Sequence, residues 1–124
     1  MVLILQISRK EFVFSEEELA QYLEESIAGL PEGLPLVLVS HQPPYGTVCD
    51  QLDNGQHVGS HAVRAFIEQH QPLVCFCGHI HSGVGKDRIG ESVILNPGRF
   101  NESRCYATAT IEQRRLTDAN IVRI

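Results

Sequence analysis

The chain has 124 residues, 43% hydrophobic and 20% charged, with a net charge of −5 at pH 7. That is enough for one domain with a modest core and the balance of a soluble globular protein. The acidic balance excludes a general affinity for nucleic acid or anionic lipid, and no apolar run approaches membrane-spanning length.

Met1 to Ile7 is apolar enough for a strand but too short for a secretion signal, which sets the expectation of a cytoplasmic protein. Ser15-Glu16-Glu17-Glu18 is a capping box that predicts a helix start. Leu19, Tyr22, Leu23, Ile27 and Leu30 follow at helical spacing, and Gly29 and Pro31 end the run. Leu36 to Val39 is a continuous apolar stretch, as expected of a central strand covered on both faces. It runs into Ser40-His41-Gln42-Pro43-Pro44. Residues Tyr45 to Gly59 read as a loop with an Asp53-Asn54-Gly55 turn, in which Asp50 and Asp53 are read as solvated or capping residues. Ser60 can cap a second helix carrying Val63, Phe66 and Ile67 on one stripe, with His70 at its end.

Leu73 to Cys77 is the next strand, and Gly78-His79-Ile80-His81 leaves it. Read as an extended segment, residues two apart face the same way. His79 and His81 would then aim both imidazoles at one point while Ile80 turns inward, and Gly78 would let the chain turn sharply or a ligand approach closely. Two imidazoles at the mouth of a strand suggest a metal site. The strand, His loop, helix, strand, His loop order is a βαβ unit, so both loops leave the carboxyl ends of parallel strands, where open α/β sheets place ligands. His41 is thereby expected beside His79 and His81.

Val84 to Ile89, Ser92 to Leu95, Cys105 to Ile111 and Ile121 to Ile124 read as short strands with turns at Gly90-Glu91 and Asn96-Pro97-Gly98. Cys49, Cys75, Cys77 and Cys105 have no zinc-ribbon or thioredoxin spacing and read as buried free thiols. His57 is open between lining a substrate mouth and lying solvated in its loop, and His61 reads as structural or exposed. Arg99 reads as a surface residue, and Asn96 and Gly98 as turn formers beneath the His loops.

From Leu36 to Gly98 these blocks resemble the C-terminal part of the calcineurin-like metallophosphoesterases. The resemblance is carried by His41 after its strand, His57-Val58-Gly59-Ser60 before the helix, Gly78-His79-Ile80-His81, and Asn96-Pro97-Gly98. It implies half of a metallophosphoesterase-type α/β sandwich, here one domain over residues 1–124, in which a βαβ unit is followed by antiparallel C-terminal strands. It implies hydrolysis of phosphomonoesters or phosphodiesters at a metal-bound hydroxide, with divalent Mn, Fe or Zn as cofactor. By motif, His41 and His79 resemble ligands of one metal and His81 a ligand of the other.

The family's Asp-x-His, Gly-Asp and Gly-Asn-His blocks have no counterpart in this sequence. The resemblance assigns the catalytic residues and the bridging carboxylate to those blocks, so no catalytic residue is expected on this chain, and the chain alone is expected to be inactive or very weak. It could be a shortened form of a full phosphoesterase, part of a split enzyme, or a scaffold without the chemistry. The expected partners are a phosphate-ester substrate and either a second copy or a chain supplying the missing half. Two other readings stand beside this one: a non-catalytic protein-interaction module on the phosphoesterase fold, and a mononuclear zinc hydrolase using three His and water.

Overall fold

The computed structural model describes residues 2–7 and 15–124. Ser15 caps the first helix as its sequence dictates: its hydroxyl accepts from the Glu18 amide, and the Glu18 carboxylate accepts from the Ser15 amide. The helix, α1, spans Glu16–Ile27. Ser60 plays the same part for α2, His61–His70, by accepting from the Val63 amide. Among the described residues seven strands accompany them: β1 Leu3–Ile7, β2 Leu36–Ser40, β3 Val74–Cys77, β4 Gly85–Ile89, β5 Ser92–Asn96, β6 Cys105–Glu112 and β7 Arg115–Arg123. A one-turn 3-10 helix, Val48–Asp50, lies in the loop after β2, and a short helix α3, Phe100–Ser103, precedes β6.

Five strands form one sheet in the order β1-β2-β3-β5-β4. β1, β2, β3 and β5 are parallel, and β4 closes the far edge antiparallel to β5. The twofold alternation of each strand sorts the side chains between two cores. Leu38, Cys75, Cys77 and Ile94 join Leu19 and Leu23 of α1 and Val63, Phe66 and Ile67 of α2 on one face. Val37, Val74, Val93 and Leu95 face the β6–β7 hairpin, which contributes Ala107, Ala109, Ala119 and Ile121. Each fully buried Leu, Ile or Phe is worth about 1.5–3 kcal/mol relative to exposure. The expected βαβ unit is present as β2-α2-β3, and its two His loops leave the same end of the sheet.

Several elements depart from expectation. Met1 of the expected first strand lies outside the described residues, and the strand observed begins at Leu3. Tyr22 and Leu30 do not reach the core: they are 46% and 39% exposed, because the helix stops at Ile27 and packs mainly through Leu19 and Leu23. The last strand is longer than its apolar end, Ile121 to Ile124. It runs Arg115–Arg123 because only one face of the hairpin is covered, so its polar stretch pairs as readily as its apolar one. The helix α3 carries no apolar periodicity to announce it.

Candidate functional site

The rim formed by the carboxyl ends of β1, β2 and β3 carries a shallow cleft of about 270 Å³. Gln6, Ile7, Ser40, His41, Cys77 and Gly78 are among its lining residues. His41 enters directly from the end of β2. Its amide donates to the Ile7 carbonyl, and its carbonyl accepts from the Gly78 amide, so the two loops that leave β2 and β3 are stitched together beside it. Across that stitch, His41 Nε2 and His79 Nδ1 lie 2.9 Å apart and the ring centroids 4.6 Å. One nitrogen must donate and the other accept.

The stretch Gly78 to His81 is not extended, which corrects the alternation expected of it. β3 ends at Cys77, and His79 has φ +62°, in the left-handed region. The Ile80 amide donates to the Gly78 carbonyl at 2.6 Å, closing a γ-turn around His79. The Gly83 amide then donates to the Ile80 carbonyl, so His81 and Ser82 occupy a second turn. The sharp bend expected of Gly78 is made by His79 itself, a residue type enriched among the non-glycine residues that adopt this conformation. His79 and His81 therefore share no strand face. His81 is exposed, with Nδ1 4.0 Å from a Glu102 carboxylate oxygen on α3, a surface pair worth little.

The His-bearing turns rest on a polar frame. Asn96, fully buried at the end of β5, donates from Nδ2 to the carbonyls of both Cys49 and Ile80 and accepts from the Gly98 amide. Gly83 lies so close to Cys49 that a Cβ would stand 2.2 Å from its carbonyl oxygen. The Ser82 hydroxyl donates to the Gln51 carbonyl. The turn-forming role expected of Asn96 and Gly98 is thus observed, with Asn96 also holding the turn after His79.

Asp50 departs most from its sequence reading. It caps the 3-10 helix as allowed there, but it is fully buried rather than solvated. Its Oδ1 accepts from the Thr47 amide and from His57 Nδ1, and its Oδ2 from the amides of Gly46 and Gly59. Burial alone would raise its carboxyl pKa, but the bonds from His57, Gly59, Gly46 and Thr47 outweigh it and hold the group below the usual carboxylate range. The signal that could have found it is Thr47-Val48-Cys49-Asp50, itself a capping-box pattern. Asp53 is exposed, as expected. His57 is therefore not a freely solvated loop residue. His61 is exposed and stacks on Tyr45 at 4.0 Å, and His70 donates to Glu24 of α1. Arg99 is exposed and pairs with Glu102.

The four cysteines are buried free thiols, as expected. A hydrogen bond with Cys77, then burial, pushes the Cys49 thiol far above its ordinary pKa. Cys77 is also raised: the bond from Cys49 lowers it, but the contact with Cys75 and burial prevail. Both stay protonated and are poor metal ligands.

Two of the three expected ligands, His41 and His79, are thus in direct contact, and His81 lies in the adjoining turn. Among the described residues no group of three or more His, Cys, Asp or Glu side chains is gathered as a metal would require. Nitrogens bound to one ion at about 2.1 Å each would stand about 3.0 Å apart in cis-octahedral geometry and about 3.4 Å in tetrahedral geometry. The observed 2.9 Å is close to the first of these separations, but one of the two nitrogens carries the hydrogen of their bond and would have to lose it before both could face one ion.

Residues 27–121 match the metallophosphoesterase family of the calcineurin superfamily. The uncharacterized protein MJ1162 of Methanocaldococcus jannaschii is 39% identical over 88 residues, which cover 68% of this chain and 39% of that protein. One crystal structure superposes with a TM-score of 0.66 and 26% identity over 84% of this chain and 39% of its own. The crystal structure of TT1561 of Thermus thermophilus shares the fold, with a TM-score of 0.52 and 24% identity over 83% of this chain and 41% of its own. The chain thus spans about two-fifths of the length of the proteins it matches. With the family match covering most of its residues, this chain belongs to the calcineurin superfamily of metallophosphoesterases.

Proposed function

We propose that this chain supplies the imidazole-bearing part of a metal-dependent phosphoesterase site that is completed by donors from outside residues 1–124. The observation that carries this reading is the contact between His41 and His79 at the carboxyl rim of a parallel sheet. His41 and His79 would hold one divalent ion of the Mn, Fe or Zn type, and His81 would be a ligand of a second. These ions would supply Lewis-acid activation of the phosphoryl group and of water. Imidazole nitrogen suits these ions better than Ca²⁺ or Mg²⁺. The protein's own part is to fix the two rings: β2 and β3 set their bases, the γ-turn sets the His79 ring, and Asn96 holds the turn that follows.

The remaining donors would arrive with a second copy or a complementary chain or segment. The outer edge of β1 supports this, because among the described residues β1 is the outermost strand of the sheet and Ile4 on it is 66% exposed. An apolar edge of this kind invites pairing. Light scattering at micromolar concentration should detect an assembly, and a clean monomer would count against self-pairing.

Metal titration of the purified chain tests the centre. Zn²⁺ or Mn²⁺ should perturb the ring signals of His41 and His79 in NMR, and His79→Ala should weaken binding by at least tenfold, about 1.4 kcal/mol or more. The same sample with Mn²⁺ should show negligible phosphatase and diesterase turnover. Robust turnover that His79→Ala abolishes would overturn the incomplete-site reading, and rings unmoved by either ion would overturn the metal reading.

A further inference from the structure

The loop between β2 and α2 is built around Asp50, and His57 is the one side chain that this buried carboxylate presents toward the surface. The frame is complete without it. Three backbone amides, from Gly46, Thr47 and Gly59, already donate to Asp50. Gly59 is pressed so close that a Cβ there would stand 2.6 Å from the Pro43 carbonyl oxygen and 2.8 Å from the Asp50 carboxylate. The fourth bond, from His57 Nδ1 at 2.7 Å, fixes a ring whose side chain is 34% exposed. A carboxylate only accepts, so Nδ1 carries the hydrogen, and Nε2, the other ring nitrogen, takes no part in that bond. Asp50 itself has no exposed surface, so the exposed part of the pair is the imidazole.

The position of His57 joins it to the His rim. Its backbone bridges to Gln51, and the Gln51 carbonyl accepts from Ser82, the neighbour of His81. On the other side, Ser60 bridges to Pro44, and its amide donates to the Pro43 carbonyl, two residues beyond His41. The segment carrying His57 is thus tied by hydrogen bonds to both loops that carry the candidate ligands. Tyr45 lies edge-on at 5.9 Å from its ring and is itself stacked on His61.

We propose that His57 is a phosphate-contacting residue of this site, with Asp50 as its positioning residue. This rests on the phosphoesterase reading above. In the protonated ring Nδ1–H donates to the buried carboxylate and Nε2–H to a phosphoryl oxygen, so the imidazolium bridges two anions. Asp50 balances the ring's charge and holds the direction of Nε2 before the ligand arrives. This contact is separate from metal ligation, since among the described residues His57 and Asp50 belong to no group of three or more such donors that could hold a metal ion.

The test uses the full chain and inorganic phosphate at about pH 6, below the ordinary imidazole pKa of about 6.5. Phosphate should shift the His57 ring signals saturably and leave those of His70, held by Glu24, unmoved. His57→Gln should weaken phosphate binding by about tenfold or more, the scale of one lost hydrogen bond to a charged group. Asp50→Asn should do the same where the variant folds, and His57→Gln decides the matter where it does not. Ring signals of His57 that stay fixed under saturating phosphate, or a His57→Gln chain that binds phosphate as the parent does, would overturn the proposal. Metal perturbation of His41 and His79 is read separately, so loss of the phosphate contact and loss of the metal centre are distinguishable.

Discussion

Replacing Asp50 by Ala is expected to destabilise the chain by about 3–5 kcal/mol, the scale of removing one member of a fully buried charged network. Three backbone amides and one imidazole lose at once the acceptor that a fully buried carboxylate gives them. For a chain of this size the midpoint of thermal unfolding should fall by on the order of 10–20 °C, read by calorimetry or circular dichroism. His57→Ala should cost far less, about 1 kcal/mol, because Asp50 keeps its three amide donors. Equal losses in the two variants would show that the ring, not the carboxylate, holds the loop. The pH dependence has a definite sign. The folded carboxyl lies below its ordinary range, so its contribution is fully present above the unfolded value of about 3.9. It is lost as pH falls from there through the lower folded value. Asp50→Asn should remove that part of the acid destabilisation, which urea midpoints measured below about pH 5 would record.

Gly83→Ala is the second large effect. The new Cβ would stand 2.2 Å from the carbonyl oxygen of Cys49 and 2.6 Å from its carbonyl carbon. Both partners are backbone, so neither can swing aside. The turn carrying His81 and Ser82 must part from the 3-10 helix, and the Ser82 bond to Gln51 and the Asn96 bonds to Cys49 and Ile80 are strained together. Overpacking of this kind costs about 1–3 kcal/mol, and the backbone-on-backbone contact puts Gly83 at the upper end. Gly78→Ala, five residues earlier on the same loop, is the control. A Cβ there meets nothing within 4 Å and its φ is not positive, so its stability should change by less than about 0.5 kcal/mol. Similar losses at the two glycines would refute the clash.

The two cases mark where the sequence could be read and where it could not. Local rules located Ser15 and Ser60, because a capping hydroxyl acts over three residues and needs no tertiary partner. The βαβ unit was legible because the Leu36 to Val39 and Leu73 to Cys77 runs are apolar on both faces, which only a covered parallel strand requires. Strand alternation also put Cys75 and Cys77 on one face, beneath the helices. The His79 turn was not legible. Its conformation is imposed by the stitch to the His41 loop and by the Asn96 bond to Ile80, both made with residues distant in sequence from the turn they shape. Asp50 was read through its type, since a carboxylate in a turn-rich loop is normally wet. Its burial depends on Gly46, Thr47 and Gly59 folding their amides around it. β7 was cut short for the converse reason: Arg115 to Asn120 alternate in polarity too weakly to mark a strand that has one exposed face.

The γ-turn at His79 has a thermodynamic meaning beyond its geometry. A left-handed backbone at a non-glycine residue is a cost of order 1 kcal/mol or more, met when the chain folds and not when anything binds. The backbone from which the imidazole projects is thus already fixed, and an arriving partner incurs little further loss of backbone entropy in using it. The same rigidity makes the ring a poor accommodator. A species that wants a different donor angle has to bend the fold to get it, so discrimination between ions of similar affinity would reside in the backbone of one residue.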